Sequence, residues 1–307
     1  MKVVALLTSV LLVMCSQISL ANEPSDPETA AETEAMAPEK EYQKWAEEFV
    51  SSLNYQRGEI RLPNGVATLN VPESFYYLSP EDTQRVLVEA WGNPPGGETL
   101  GMLFPSEFTP LDDASWGVTI EYEEDGYVSD ENAADIDYTE LLEQMQEDTR
   151  DVNPERVEAG YEPIDLVGWA AAPHYNQASH KLYWAQELQF GDDPNHILNY
   201  NIRVLGRQGV LLLNFIADIN QLSEIETNLD TVLGMAKFNE GHRYSDFDPE
   251  IDTVAAYGLG ALVAGKAAAK AGIFAGALLF LKKFGVFIIA GVVALGGKLL
   301  KKKKSAE

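Results

Sequence analysis

Residues 164–172 read IDLVGWAAA, residues 181–190 KLYWAQELQF, residues 198–205 LNYNIRVL and residues 210–217 VLLLNFIA. All four runs are rich in the aliphatic and aromatic residues that suit a pleated sheet. The connections at Pro173–Ser179, Gly191–Asn195 and Gly206–Gly209 are short and full of turn formers. Parallel neighbours need a crossover of roughly a dozen residues or more, so strands joined this way form an antiparallel meander. In the second run Tyr183 and Trp184 are adjacent. They must face opposite sides of the sheet, so at least one lies off the main core.

Working outward, the spacing predicts helices on both sides of the meander. Glu41 to Leu53 carries Trp45 and Phe49 on one face. Glu59–Leu62 and Val66–Val71 flank Pro63-Asn64-Gly65, and an Asn-Gly pair between short apolar runs marks a hairpin. Ser79-Pro80-Glu81-Asp82 opens a helix through Ala90: a hydroxyl to cap free amides, proline in the first turn, acids at the positive end. Further strands are expected at Leu100–Phe104 and Trp116–Tyr122, and Asp137 caps a helix from Tyr138 to Arg150. A last helix runs from an Asn220 cap to Phe238, with Leu222, Ile225, Leu229, Val232 and Leu233 on one apolar face. The expected fold class is α+β, a largely antiparallel sheet with flanking helices in one domain over residues 41–253, followed by a C-terminal transmembrane helical region.

The two ends differ sharply from this middle. Lys2 followed by the apolar run Val3–Met14, with Ser19-Leu20-Ala21 behind it, reads as a signal peptide over residues 1–21, cut after Ala21. The chain's one cysteine is Cys15, so the mature protein would hold no disulfide, thiol nucleophile or thiolate metal ligand. Residues 22–40 are mostly Pro, Ala, Thr and Glu and are expected to form a disordered acidic leader. From Val254 the composition turns to Ala, Gly, Val, Leu and Phe. Phe284 to Leu300 is 17 residues long, the lower end of what spans a bilayer at about 1.5 Å per residue. It is read as the transmembrane helix, with residues 254–283 as a membrane-associated helical segment and residues 301–307 as a basic cytoplasmic tail. A helical hairpin turning at Lys282 is the rival. It returns Lys301–Lys304 to the outer face, against the positive-inside tendency.

Charge sharpens the topology and excludes partners. Residues 22–253 hold 12 Lys and Arg against 47 Asp and Glu, whereas residues 254–307 hold nine Lys and one Glu. Such an acidic domain repels nucleic acid and anionic headgroups and favours cationic partners. The expected location is the inner membrane, with the acidic domain on the periplasmic side and the tail in the cytoplasm.

Signals for chemistry are sparse. His174 and His180 bracket a predicted turn and are the weak candidates for a metal site beside a carboxylate; solvated turn histidines are the plainer reading. No nucleophile elbow, phosphate-cradling glycine loop or compact zinc motif is present. The acidic stretches Glu121–Gly126 and Asp130–Asp137 lack the ligand spacing of an EF-hand loop. Tyr161, Trp169, Tyr175, Tyr183, Trp184 and Tyr200 crowd the predicted sheet, as core or as a stacking surface for a ligand.

Six short stretches carry a resemblance. Trp91-Gly92-Asn93-Pro94-Pro95, Gly101-Met102-Leu103-Phe104-Pro105, Gly126-Tyr127-Val128, His180-Lys181-Leu182-Tyr183-Trp184-Ala185, Leu205-Gly206-Arg207 and Tyr257-Gly258-Leu259 resemble the DUF2167 family of predicted membrane-anchored prokaryotic proteins. The resemblance implies the anchored topology and supplies no catalytic residues. The order of strands and closing helix is also similar to PsbP/Mog1-like sandwiches, an analogy of fold that transfers no function. The functional expectation is a non-catalytic, membrane-anchored binding module of the cell envelope, with an envelope protein as partner and no cofactor. The alternative is an envelope hydrolase or metal-dependent enzyme using His174 and His180.

Overall fold

The computed structural model describes residues 27–93, 97–131 and 133–264. The expected signal peptide, the transmembrane helix 284–300, the tail 301–307 and most of segment 254–283 lie outside the described residues. Among the described residues no helix is long and apolar enough to cross a membrane. The chain divides into two compact units, Met1–Leu53 and Asn54–Glu307.

The first unit holds helix α1, Pro27–Ser52. It begins well before the expected Glu41 and takes in residues 27–40, which were expected as leader. Ala and Glu dominate that stretch, and both propagate a helix once one is started. Trp45 stacks between Tyr42 and Phe49, at 5.6 and 5.3 Å between ring centroids, as neighbours three and four residues apart on a helix do.

The second unit is built on two antiparallel sheets. Strands β1 (Gly58–Arg61) and β2 (Ala67–Val71) form the expected hairpin. Gly65 supplies the positive φ, +72°, that the turn requires. Strand β3 (Phe75–Leu78) follows and was not expected: it is a four-residue apolar run pressed against the next helix, too short to show a period. That helix, α2 (Pro80–Arg85), continues as a π-helical turn over Val86–Ala90. Ser79 Oγ accepts from the Asp82 amide at 3.2 Å, as its capping role demands.

Strands β4 (Gly101–Pro105) and β5 (Gly117–Glu123) lead to helix α3 (Tyr138–Glu158), where Asp137 caps the Thr139 and Glu140 amides. The helix outruns its expected end at Arg150 and passes through Pro154. The meander then forms as read: β6 (Ile164–Asn176), β7 (Lys181–Phe190), β8 (Ile197–Leu205) and β9 (Val210–Asp218). Helix α4 (Leu222–Met235) is entered through a single 3-10 turn capped by Asp218, not Asn220. It stops short of Phe238, because Ala236–Phe238 leave it as β10 and pair with Leu69, Thr68 and Ala67 of β2. A short helix, α5 (Leu259–Ala264), ends the described fold.

The small sheet has the order β1-β2-β10 and the large one β3-β4-β5-β9-β8-β7-β6. Every neighbouring pair is antiparallel. The protein is therefore α+β, with antiparallel sheets and flanking helices.

Strand alternation divides the large sheet into two covered faces. Val118, Ile120, Ala185, Leu198, Tyr200, Ile202, Leu211, Leu213 and Phe215 enter one core, with Leu69 and Val71 of β2 and Ile225 and Val232 of α4. Leu182, Trp184, Leu205, Val210 and Leu212 enter a second core, with Val128, Tyr244, Leu259, Leu262 and Val263. Each such Val, Leu, Ile or Phe side chain contributes about 1.5–3 kcal/mol on burial. The Tyr183 and Trp184 question is resolved by this arrangement: Tyr183 packs against the first core and Trp184 is in the second. The second core also shows that the folded unit continues past Thr253, since Leu259, Leu262 and Val263 are buried in it.

Candidate functional site

The segment from Tyr244 to Ala264 crosses the second face of the large sheet as a strap, and its fastenings build the site. The Tyr127 amide donates to the Thr253 carbonyl and the Ala255 amide donates to the Tyr127 carbonyl, both at 2.8 Å. Gly126 makes this approach possible: its φ is +98°, and a Cβ there would lie 2.5 Å from the Thr253 oxygen. Tyr127 is stacked on Phe247 and Tyr244, at 3.9 and 4.4 Å. Arg207 Nε donates to Asp252 Oδ2 at 2.7 Å, and that bond holds the Asp252 carboxyl below its usual range. The Tyr257 hydroxyl donates to Asp125 at 2.9 Å.

At the centre stands Asp130. Its Oδ2 accepts from the Tyr175 hydroxyl at 2.7 Å. Its Oδ1 accepts from Tyr244 at 3.1 Å, a hydroxyl that also reaches the Val128 carbonyl. His180 Nδ1 lies 3.5 Å from the same carboxylate and 3.3 Å from the Tyr175 oxygen. With the Tyr175 proton given to Asp130, Nδ1 is placed to donate to both. His180 has φ +51°, a left-handed conformation that non-glycine residues seldom take. Its ring rests 4.2 Å from that of Tyr244.

The electrostatics follow from these contacts. Burial alone would raise the Asp130 pKa, but the two tyrosine hydroxyls and His180 together hold it below the usual carboxylate range. Burial, reinforced by the carboxylate, pushes the hydroxyls of Tyr175 and Tyr244 well above the ordinary phenol range.

Beside Asp130 lies an open cleft of about 490 Å³ between Asp130, Glu131 and residues 133–138 on one side and the end of β6 on the other. Asp130, Glu131, Tyr138, His174, Tyr175 and Gln177 contribute to its lining.

The structure places the two candidate histidines differently. His180 joins Asp130, whereas His174 stacks on Tyr183 at 4.7 Å with the rings nearly parallel, 6° apart. Strand alternation sends Tyr175 toward the second core and sets His174 against Tyr183, while both reach the lining of the cleft. The pair read as a metal site is thus split. Among the described residues no three His, Cys, Asp or Glu side chains stand close enough together to hold a metal ion. Of the other histidines, His196 is bonded to Glu187 at 2.5 Å in the β7–β8 connection.

Asp130, Tyr127 and Tyr244 were not singled out as site residues. Asp130 stood within an acidic stretch, and Tyr244 follows it by 114 residues. The available signal was the set of stretches behind the family resemblance. Gly126-Tyr127-Val128, His180, Leu205-Gly206-Arg207 and Tyr257-Gly258-Leu259 all converge on the strap.

The described residues form a strapped α+β domain. The chain belongs to the family described as "Protein of unknown function (DUF2167)", whose model matches residues 54–294. No curated protein matches the chain. Among solved structures it is similar to cyanobacterial PsbP (CyanoP) from Synechocystis sp. PCC 6803, at 13% identity and a TM-score of 0.31, over 61% of this chain and 93% of that one. It is also similar to the Saccharomyces cerevisiae Ran-binding protein Mog1p, at 12% identity and a TM-score of 0.31, over 64% of this chain and all of that one (100%).

Proposed function

We propose that the protein is a non-catalytic binding module of the cell envelope, held at the inner membrane by its C-terminal region with the acidic domain on the periplasmic side. One observation carries the non-catalytic part. Asp130 is kept ionised, and the two hydroxyls bonded to it are kept protonated. A general acid or base works best with a pKa near the operating pH. These groups are displaced from it in opposite directions, and the hydrogen bonds that join them tie the carboxylate into the fold, which suits a fixed charge better than a proton relay.

The tether is supported by sequence. Residues 1–21 fit an export signal, and the stretch 284–300 is long enough for one crossing. The basic residues 301–304 would then remain inside. The strap adds a consequence: a domain fastened this close to its anchor is held near the bilayer, which raises its effective concentration for a neighbouring partner.

A phosphatase that is active only outside the cytoplasm, fused after Ala264, is expected to be active; a silent fusion overturns the topology. A photo-crosslinker at the exposed Gln177 in intact cells is expected to trap an envelope protein. Turnover of envelope material by the purified full-length protein, lost in His180→Ala, would overturn the non-catalytic reading.

A further inference from the structure

We propose that the cleft beside Asp130 binds an organic cation, an alkylammonium or guanidinium group. This rests on the binding reading above and names the chemistry of the ligand.

The cleft is open to solvent, and its volume, about 490 Å³, leaves room for a small ligand or one large side chain. The cleft lining combines two carboxylates, Asp130 and Glu131, with the rings of Tyr138 and Tyr175 and the apolar Ile136 and Pro173. That mixture selects its ligand. A hydrated metal ion needs several convergent oxygen or nitrogen ligands, and the described residues contain no group of three. An organic cation instead gains from one negative pole, from aromatic faces and from apolar contact along its alkyl stem.

An acidic stretch alone would be only a hydrated surface. Here the Asp130 side chain is 15% exposed, and its two bonded tyrosines and His180 fix the position of its charge before any ligand arrives. A pre-set charge in a partly desolvated wall costs little reorganisation on binding. The chain's net charge of −26 concentrates cations around the domain.

The test is calorimetric titration of the full-length protein in detergent micelles with two probes, 1,5-diaminopentane and a pentalysine peptide. Glu131 is exposed, and its side chain makes no bond to the fold among the described residues, so its substitution should leave folding intact, as thermal unfolding will verify. Binding is expected to weaken about fivefold in Glu131→Gln and about tenfold or more in Glu131→Lys, equivalent to the loss of one partly screened charge contact. Binding of both probes supports a free amine as ligand; binding of the peptide alone supports a basic side chain of a partner protein. The proposal is overturned if neither probe binds, or if Glu131→Lys leaves the affinity unchanged in a folded protein. A crosslinked partner that persists in Glu131→Lys cells, with no cation binding, would sink this proposal while leaving the binding-module reading in place.

Discussion

Asp130 shows how one side chain can fasten a fold. Its carboxylate takes hydrogen bonds from Tyr175 on β6 and from Tyr244 on the strap, joining segments that strand pairing leaves apart. Bonds to an ionised acceptor contribute about 1.5–3 kcal/mol. Asp130→Asn is expected to lower stability by roughly that amount in urea unfolding. Because the folded-state pKa is depressed, the contribution is present above the ordinary carboxylate range and lost as pH falls through the folded value. Wild-type protein should therefore lose stability below about pH 4, and Asp130→Asn should show a shallower acid limb. Gly126 offers an independent check. Alanine there meets both a left-handed backbone and the Thr253 oxygen, so Gly126→Ala should destabilise by about 1–3 kcal/mol and free the strap for proteolysis. The capping residues Ser79 and Asp137 were legible in sequence because a cap acts within three residues. Asp130 was not, because nothing within three residues distinguishes it from the acids around it.

At the scale of elements, the outer edge of the large sheet is managed by a helix. Among the described residues, strand β6 has no strand on its far side. Asn153 of α3 donates to the Ile164 carbonyl and accepts from its amide, both at 2.8 Å. Gln146 Nε2 donates to the carbonyls of Leu166 and Val167. Two helix amides thus stand in for a missing neighbour and blunt an edge that would otherwise invite pairing with another chain. They also explain why α3 outruns its expected end: the turn around Pro154 is fastened to β6. Asn153→Ala is expected to cost about 1–3 kcal/mol and to speed hydrogen exchange at Ile164. Sequence gave the meander correctly, since period-two alternation and short connections are local properties. It did not give β10. Three residues following an apolar helix face carry no period of their own, and only their pairing with β2 makes them a strand.

For the whole molecule, self-repulsion opposes the compact state. A net charge of −26 on 307 residues disfavours the compact state at low ionic strength, and salt screens it over about 10 Å at 0.1 M. The melting temperature is expected to rise with added sodium chloride over the first few hundred millimolar. A fall would mean that ion pairs such as Arg207 with Asp252 outweigh the repulsion.

The sequence by itself determined the α+β class, the antiparallel meander, the caps at Ser79 and Asp137 and the charge contrast between the middle of the chain and its C-terminal end. All of these follow from composition or from the spacing of residues a few positions apart. Only the tertiary structure decided that both faces of the sheet are covered, that residues beyond Thr253 return as a strap, and that His180 belongs with Asp130 and not with His174. The reason is physical: neighbours on one strand are sent to opposite faces, while groups 114 residues apart meet because a covered sheet brings their segments together.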